Sequence, residues 1–347
     1  MKLTSKLLMI SASTLLGFGS IAPAFTANAA SVETASRAYQ NSKIKANYRY
    51  AKNLMIKNKT GLSGKTTALF SKKANPTIGA ASGYADLLVG LKGWGYKFTT
   101  TQKKRIAANL VINSKSTAAD YANAIQGLKA VGLNPTKFKP AGAKKAVNLV
   151  SGLYRQSMSK QTPNVKSQVL LALTMSSTFK RPSNAKFSKT SLAKSLVKDQ
   201  QSNNGWAYNN TAASVDSDTT SMAIAALAHS KSSLSAVKTA LVKGQSYLKS
   251  NITASGAHGY VFNGKTVANS TAEAIIALSS KQATVKYANG YFTTKQAASP
   301  LRAMLGYVNK TGSIKGATSQ LIGVGQVNLA TAAYRQALKG HSVYTVK

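Results

Sequence analysis

Apolar residues recur along the chain in short runs that end on Gly-Leu or Ala-Leu. The runs are GYADLLVGL (83–91), DYANAIQGL (120–128), VKSQVLLAL (165–173), TTSMAIAAL (219–227), STAEAIIAL (270–278) and ATAAYRQAL (330–338). Counted back from the leucine, the residue one earlier is always Gly or Ala. The residue six earlier is always Ala or Ser: Ala85, Ala122, Ser167, Ser221, Ala272 and Ala332. Large apolar positions fall at the leucine and three or four before it, the spacing of one helix face. Two columns of small residues beside that face predict helices that approach one another closely, as a tightly packed inner ring requires. The first two runs continue in register as YADLLVGLKGWG and YANAIQGLKAVG, which marks an internal repeat.

Between these runs lies a second set, richer in lysine: 45–57, 101–113, 141–156, 189–201, 235–249 and 298–310. Its apolar residues form one stripe and its lysines the opposite face, as with Leu149, Val150 and Leu153 against Lys144 and Lys145. Such helices cover a core on one side only. Alternation of the two sets predicts an all-α protein, an α/α toroid of about six inner and six outer helices in one domain over residues 31–347. An open solenoid is the alternative; closure is favoured because six repeats leave few residues for terminal caps.

Ahead of the repeats, residues 1–30 place Lys2 and Lys6 before an apolar run that ends on Ala27, Asn28 and Ala29. This is the pattern of a cleaved secretory signal peptide, and it predicts a secreted protein of the cell surface or cell wall. The whole chain carries +39 and, without Lys2 and Lys6, +37. Most cations are lysines, which act as hydrated point charges and suit diffuse attraction to a polyanion. With export, anionic envelope polymers of the teichoic-acid kind, or lipid headgroups, are the expected partners. Nucleic acid is disfavoured for lack of a stacking platform. Cysteine is absent, so neither disulfides nor thiolate metal ligands are available. The three histidines stand singly, and no metal or other cofactor is expected.

One loop carries a recognisable motif. QQSNNGWAY, beginning at Gln200, resembles the Q-x-x-D-G-G-W element of the terpenoid cyclase and protein prenyltransferase toroids. Gln200, Gly205 and Trp206 match, while Asn203 and Asn204 replace Asp and Gly. A weaker copy, SNITASGAHGYVF, puts Gly259 and Tyr260 in the Gly-Trp places. As architecture the resemblance spans about 45–338; as motif it is specific to 189–280. It implies a structural loop, with Trp206 locking adjacent repeats.

The same resemblance tests two chemistries. Class II terpene cyclases carry D-x-D-D where this chain has Asp216, Ser217, Asp218 and Thr219. Asp218 takes the proton donor's place and the last Asp is lost. Such an acid needs a raised pKa in a dry, aromatic-lined cavity. Protein prenyltransferases hold zinc with Asp, Cys and His, and this chain lacks the Cys and the late His, as it lacks the cysteines of lanthionine-type cyclases. The leading expectation is therefore a toroidal binding module without evident catalysis. The alternative is a cyclase-like or glycan-active enzyme using Asp216 or Asp218 as acid or base; a purely structural surface-coat role stands behind both.

Of the seven acids, Asp86, Asp120, Asp216, Asp218 and Glu273 all fall in or just before the first turns of inner helices. In parallel helices they gather at one mouth of the central funnel. Helix capping competes with this reading and accounts for Asp218 and Asp120. Asp86 and Glu273 sit five residues before the repeat leucine, in one column with Asn123 and Gln168. That column is expected to line the lumen, with Asp120 nearby, and to favour a small polar or cationic ligand.

Overall fold

A computed structural model describes residues 33–56, 82–110, 112–139, 144–259, 268–293 and 296–345. All belong to one compact unit, Ser31–Lys347; segment 1–30, expected to be a signal peptide, lies outside the described residues. Six inner helices follow the repeats: α2 (Ser82–Gly93), α4 (Ala118–Ala130), α6 (Pro163–Thr174), α8 (Ser217–His229), α10 (Ala268–Leu278) and α13 (Gln320–Ala337). Each packs on the next, and α13 packs back on α2, so the ring is closed. The outer layer is α1 (Arg37–Ile56), α3 (Thr100–Asn109), α5 (Leu149–Tyr154), α7 (Lys189–Lys198), α9 (Ser235–Ser250) and α12 (Pro300–Gly306), with a single turn, α11 (Val285–Ala288), before the last. None of the described helices is long and apolar enough to cross a membrane.

The two layers differ as their composition predicts. In α10 every residue but Asn269 and Glu273 is buried, because both neighbours in the ring and the outer helices cover it. In α7 only Leu192, Ala193 and Leu196 are buried, and Lys194 and Lys198 face solvent. Polar residues start the helices: Thr99 and Thr117 form capping boxes with Gln102 and Asp120, and Asn148, Asp216 and Ser299 accept bonds from first-turn N–H groups. Each such cap satisfies donors that have no partner within the helix.

The ends of the chain complete both layers. The Glu33 N–H donates to the Ala297 carbonyl and the Ser299 N–H to that of Glu33, while Asn289 and Ala35 exchange two bonds. This staples the chain start beside α12, so α1 covers the seam between α13 and α2.

The small columns are buried as expected, with Ala85, Ala122, Ser167, Ser221, Ala272 and Ala332 at 1% exposure or less. The last repeat, however, is displaced in register. Leu338, expected in the core, is 55% exposed and lies at the end of α13. The helix begins at Gln320, and its ring-facing segment is GVGQVNLAT (323–331), seven residues earlier than 330–338. Seven residues are close to two helical turns, so both registers present small residues on the same face; only the earlier one lies level with the other repeats.

At the closing contact a methyl added to Gly90 would lie 2.7 Å from the backbone nitrogen of Leu329. Gly90→Ala is expected to destabilise the fold by roughly 1–3 kcal/mol, because backbone cannot retreat as a side chain can. In Gly306→Ala the added methyl meets nothing within 4 Å, and the change should be neutral or stabilising by up to about 1 kcal/mol. Urea denaturation of the two variants side by side checks both.

Candidate functional site

The Gln200–Trp206 loop is a turn built from distinct parts. Gln200 Nε2 donates to the carbonyls of Asn204 and Ala240, at 2.9 and 3.0 Å, tying α7's end to α9. Asn204 adopts φ 72°, a left-handed conformation that Asn tolerates. Asn203 Oδ1 accepts from the Gly205 N–H at 3.2 Å, a bond within the turn. Gly205 is required for space, since a Cβ there would run into Val215 and the Tyr247 ring. Trp206 is fully buried; its indole N–H donates to the Leu196 carbonyl at 2.6 Å and its backbone N–H to Thr220 Oγ1 at 2.9 Å. A two-stranded pairing of β1 (Trp206–Ala207) with β2 (Val215–Asp216) closes the loop.

The weaker copy is built two residues earlier than the Gly259-Tyr260 alignment. Thr253 N–H donates to the Ala257 carbonyl, Gly256 N–H to that of Thr253, and His258 N–H to Thr271 Oγ1, matching the bonds of Gln201, Asn204 and Trp206. His258 thus holds the Trp place. Gly259 does not correspond to Gly205, and Tyr260 lies outside the described residues. A third copy, unnoticed in the sequence, spans Asn309–Ile314, with Gly312 at φ 96° in the Asn204 place.

Within the ring, all six inner helices contribute to a central cavity of about 200 Å³. Asp86, Asn123, Gln168 and Glu273 line it, with Met222 from the same column. Sequence reasoning missed Gln126, Asn164, Gln326 and Tyr344, which also line it. Gln126 follows Asn123 by three residues on the same helix face, and Gln326 takes the column place once the last repeat is read seven residues earlier. Tyr344, from the short 3-10 turn Val343–Thr345 after α13, packs on His229 with ring centroids 5.6 Å apart. No sequence signal marked it.

The acids divide by role. Asp120 is not in the lumen: it accepts the Thr117 N–H at 2.7 Å and caps α4. Asp216, not Asp218, caps α8, accepting from the N–H and hydroxyl of Thr219. Its geometry, one residue before the helix, aims the carboxylate back at the first turn. Asp218, two residues further on, instead points at α10, where Ser270 Oγ donates to Oδ2 at 3.0 Å while Oδ1 is buried without a partner. Asp216 and Asp218 line a second hollow at the rim with Asn164, Tyr208 and Met222; Asn164 and Met222 are shared with the central cavity. Asp199 pairs with Lys166 at 2.7 Å and Glu33 with Arg302.

Burial dominates the electrostatics of the lumen. It pushes the Asp86 carboxyl up to about 7. Glu273 is raised well above its ordinary value by burial and then by Asp86 and Asp218, against a bond from Gln326 Nε2 at 3.0 Å. Asp218 is raised to about 6, chiefly by burial. Tyr344 is raised by burial and by the field of Glu273 and Asp86. Among the described residues no group of three or more His, Asp or Glu is placed to hold a metal ion.

Ring, alternating layers and glutamine-tryptophan turn together define an α/α toroid of the terpenoid cyclase kind. Solved structures agree at the level of fold. An arginine-to-alanine variant of the type II terpene cyclase MstE from Scytonema, in complex with geranylgeranyl dihydroxybenzoate, superposes with a TM-score of 0.54 at 12% identity, covering 85% of this chain and 98% of that one. A tyrosine-to-phenylalanine variant of the same enzyme, without ligand, gives 0.52 at 12% identity over 87% and 99%. No protein-family model and no curated relative matches the chain.

A carboxyl whose folded pKa is raised keeps its proton better in the native state. Between its unfolded value, near 4, and its folded value, stability falls as pH rises, because the native state binds more protons. His229 and His258, lowered by burial to about 4, act in the opposite direction over part of the same range. Comparison with a variant isolates the acid. Asp86→Asn is expected to gain stability over the parent protein by about 1–3 kcal/mol as pH rises from about 4.5 to 7.5. An advantage that urea denaturation finds equal at both pH values would mean that burial does not hold Asp86 protonated.

Proposed function

We propose that the chain is an envelope-associated binding module that takes a small polar ligand into its lumen and is held by its outer surface to anionic wall polymers. The observation that carries the first part is the character of the lumen wall. Carboxyls and amides project from α2, α4, α6, α10 and α13, and among the described residues Tyr344 is the one aromatic residue lining the cavity. A carbocation-forming cyclase needs the reverse, aromatic faces around a dry apolar chamber. The second part is supported by the exposed lysines of the outer helices, such as Lys194, Lys198, Lys238, Lys243 and Lys249 on neighbouring α7 and α9.

Asp218 supports a second reading, an acid catalyst at the rim, because it combines a raised pKa with an unpartnered buried oxygen. Two experiments separate the readings. Washing cells with about 1 M salt should release the protein, since counterions compete for the polyanion; retention would remove the electrostatic attachment. A linear geranylgeranyl substrate should be returned unchanged by the purified protein. Cyclised product that disappears in Asp218→Asn would replace binding by catalysis.

A further inference from the structure

We infer that the ligand of the lumen is a short aliphatic primary amine, bound as its ammonium ion; this rests on the reading of the lumen as a binding site. Several side chains that line the cavity carry polar atoms with no partner among the described residues. Asn123 is only 7% exposed, faces the cavity and has no hydrogen-bond partner among the described residues. Gln326 spends its amide N–H on Glu273, which leaves its own Oε1 buried and unpartnered; Gln168 Oε1 is unpartnered too. Unmade bonds of buried polar groups are costly, so several at one place call for a donor from outside.

Charge narrows the class. The chain has 46 basic residues, yet no lysine or arginine is among those lining the cavity beside Asp86 and Glu273. A cation that compensates their ionised forms would therefore have to come with the ligand. A quaternary ammonium has no N–H to offer and is recognised by aromatic faces, of which Tyr344 provides one. A guanidinium is a flat fork suited to one carboxylate in its plane, whereas an ammonium presents three donors in three directions. Here the acceptors stand on five helices around a ring, which matches the ammonium. Leu171, Ala225, Ile276, Ile322 and Leu329 complete the wall and suit an alkyl tail. A volume of about 200 Å³ equals that of roughly six or seven liquid waters at about 30 Å³ each, room for a small ligand only.

Binding is linked to protons. The ammonium stabilises the ionised forms of Asp86 and Glu273, so the proton they retain when unliganded is expelled on binding and affinity rises with pH. The other titratable groups facing the pair are Asp218 from α8 and Tyr344 from the C-terminal turn, with His229 behind Tyr344. The lining residues of α4, α6 and α13 add amides but no titratable group.

Calorimetric titration of the full chain with n-butylammonium, n-butanol and tetramethylammonium tests this. The expected result is n-butylammonium bound at least about tenfold more tightly than either other probe, and at least about fivefold more weakly at pH 6 than at pH 8. Asp86→Asn/Glu273→Gln, folded by circular dichroism, should lose the preference; if it does not fold, Glu273→Gln alone should reduce it. Equal binding of amine and alcohol, or a preference that survives in the variants, overturns the ammonium inference and leaves the lumen as a binding site. If none of the three probes binds, both readings fall.

Discussion

Everything in this toroid depends on how closely six inner helices can approach. Gly90 lies so near the Leu329 backbone that a methyl would not fit, and buried Ala or Ser recurs at the matching place of the first five repeats, with buried Gly325 in the last. Small contacts at those positions permit close interhelical packing. With the ring drawn tight, the large side chains have only two places to go. The leucines and Trp206 turn outward, where outer helices cover them, and the column five residues before each leucine turns inward. A narrow lumen is the consequence, and its lining is decided by very few side chains.

Those few are spent unusually. In a chain of +39, acids are scarce, and each of the seven has an assignable position. Asp199 and Glu33 pair with bases, and Asp120 and Asp216 cap helices. These four make ordinary local contacts, although burial raises the Asp216 carboxyl against its capping bonds. Among the described residues Asp86, Asp218 and Glu273 have no such base or cap, burial holds their carboxyls above the usual range, and Asp86 and Asp218 raise Glu273 further. Basic residues are abundant on the surface, and among the described residues none lines the central cavity. A fold that needed only a packed centre would fill it with apolar side chains; local rules broken at one place are the mark of a site.

How far this was legible depended on the range of the interactions. Helix positions and layers follow from the 3.6-residue pattern, which each segment carries by itself. The lumen column followed too, because Asp86, Asn123, Gln168 and Glu273 share one repeat position. What failed needed knowledge of neighbours. The last repeat presents two registers seven residues apart, and only the contact with α2 selects the one containing Gln326. Asp216 and Asp218 are two residues apart, and which one caps depends on where the first turn starts. His258 takes the Trp place because the turn around Gly256 matches by backbone bonds, while the letters Gly259-Tyr260 merely resembled the motif. Tyr344 reaches the lumen through a turn with no repeat to announce it.

The likeness to terpene cyclases is one of scaffold, and the site argues apart from it. In the shared architecture the ring supplies a chamber whose chemistry is set by whatever the inward column carries, since the small-residue contacts that close the ring make no demand on that column. Aromatic residues there would stabilise a cation without N–H donors through their faces; carboxyls and amides stabilise a cation through hydrogen bonds and lose that stabilisation when the cation has none to give. Both solutions attract positive charge. They differ in what the charge must be attached to, and the proposed ammonium ligand rests on the second, on the unpartnered oxygens of Gln168 and Gln326 beside Asp86 and Glu273.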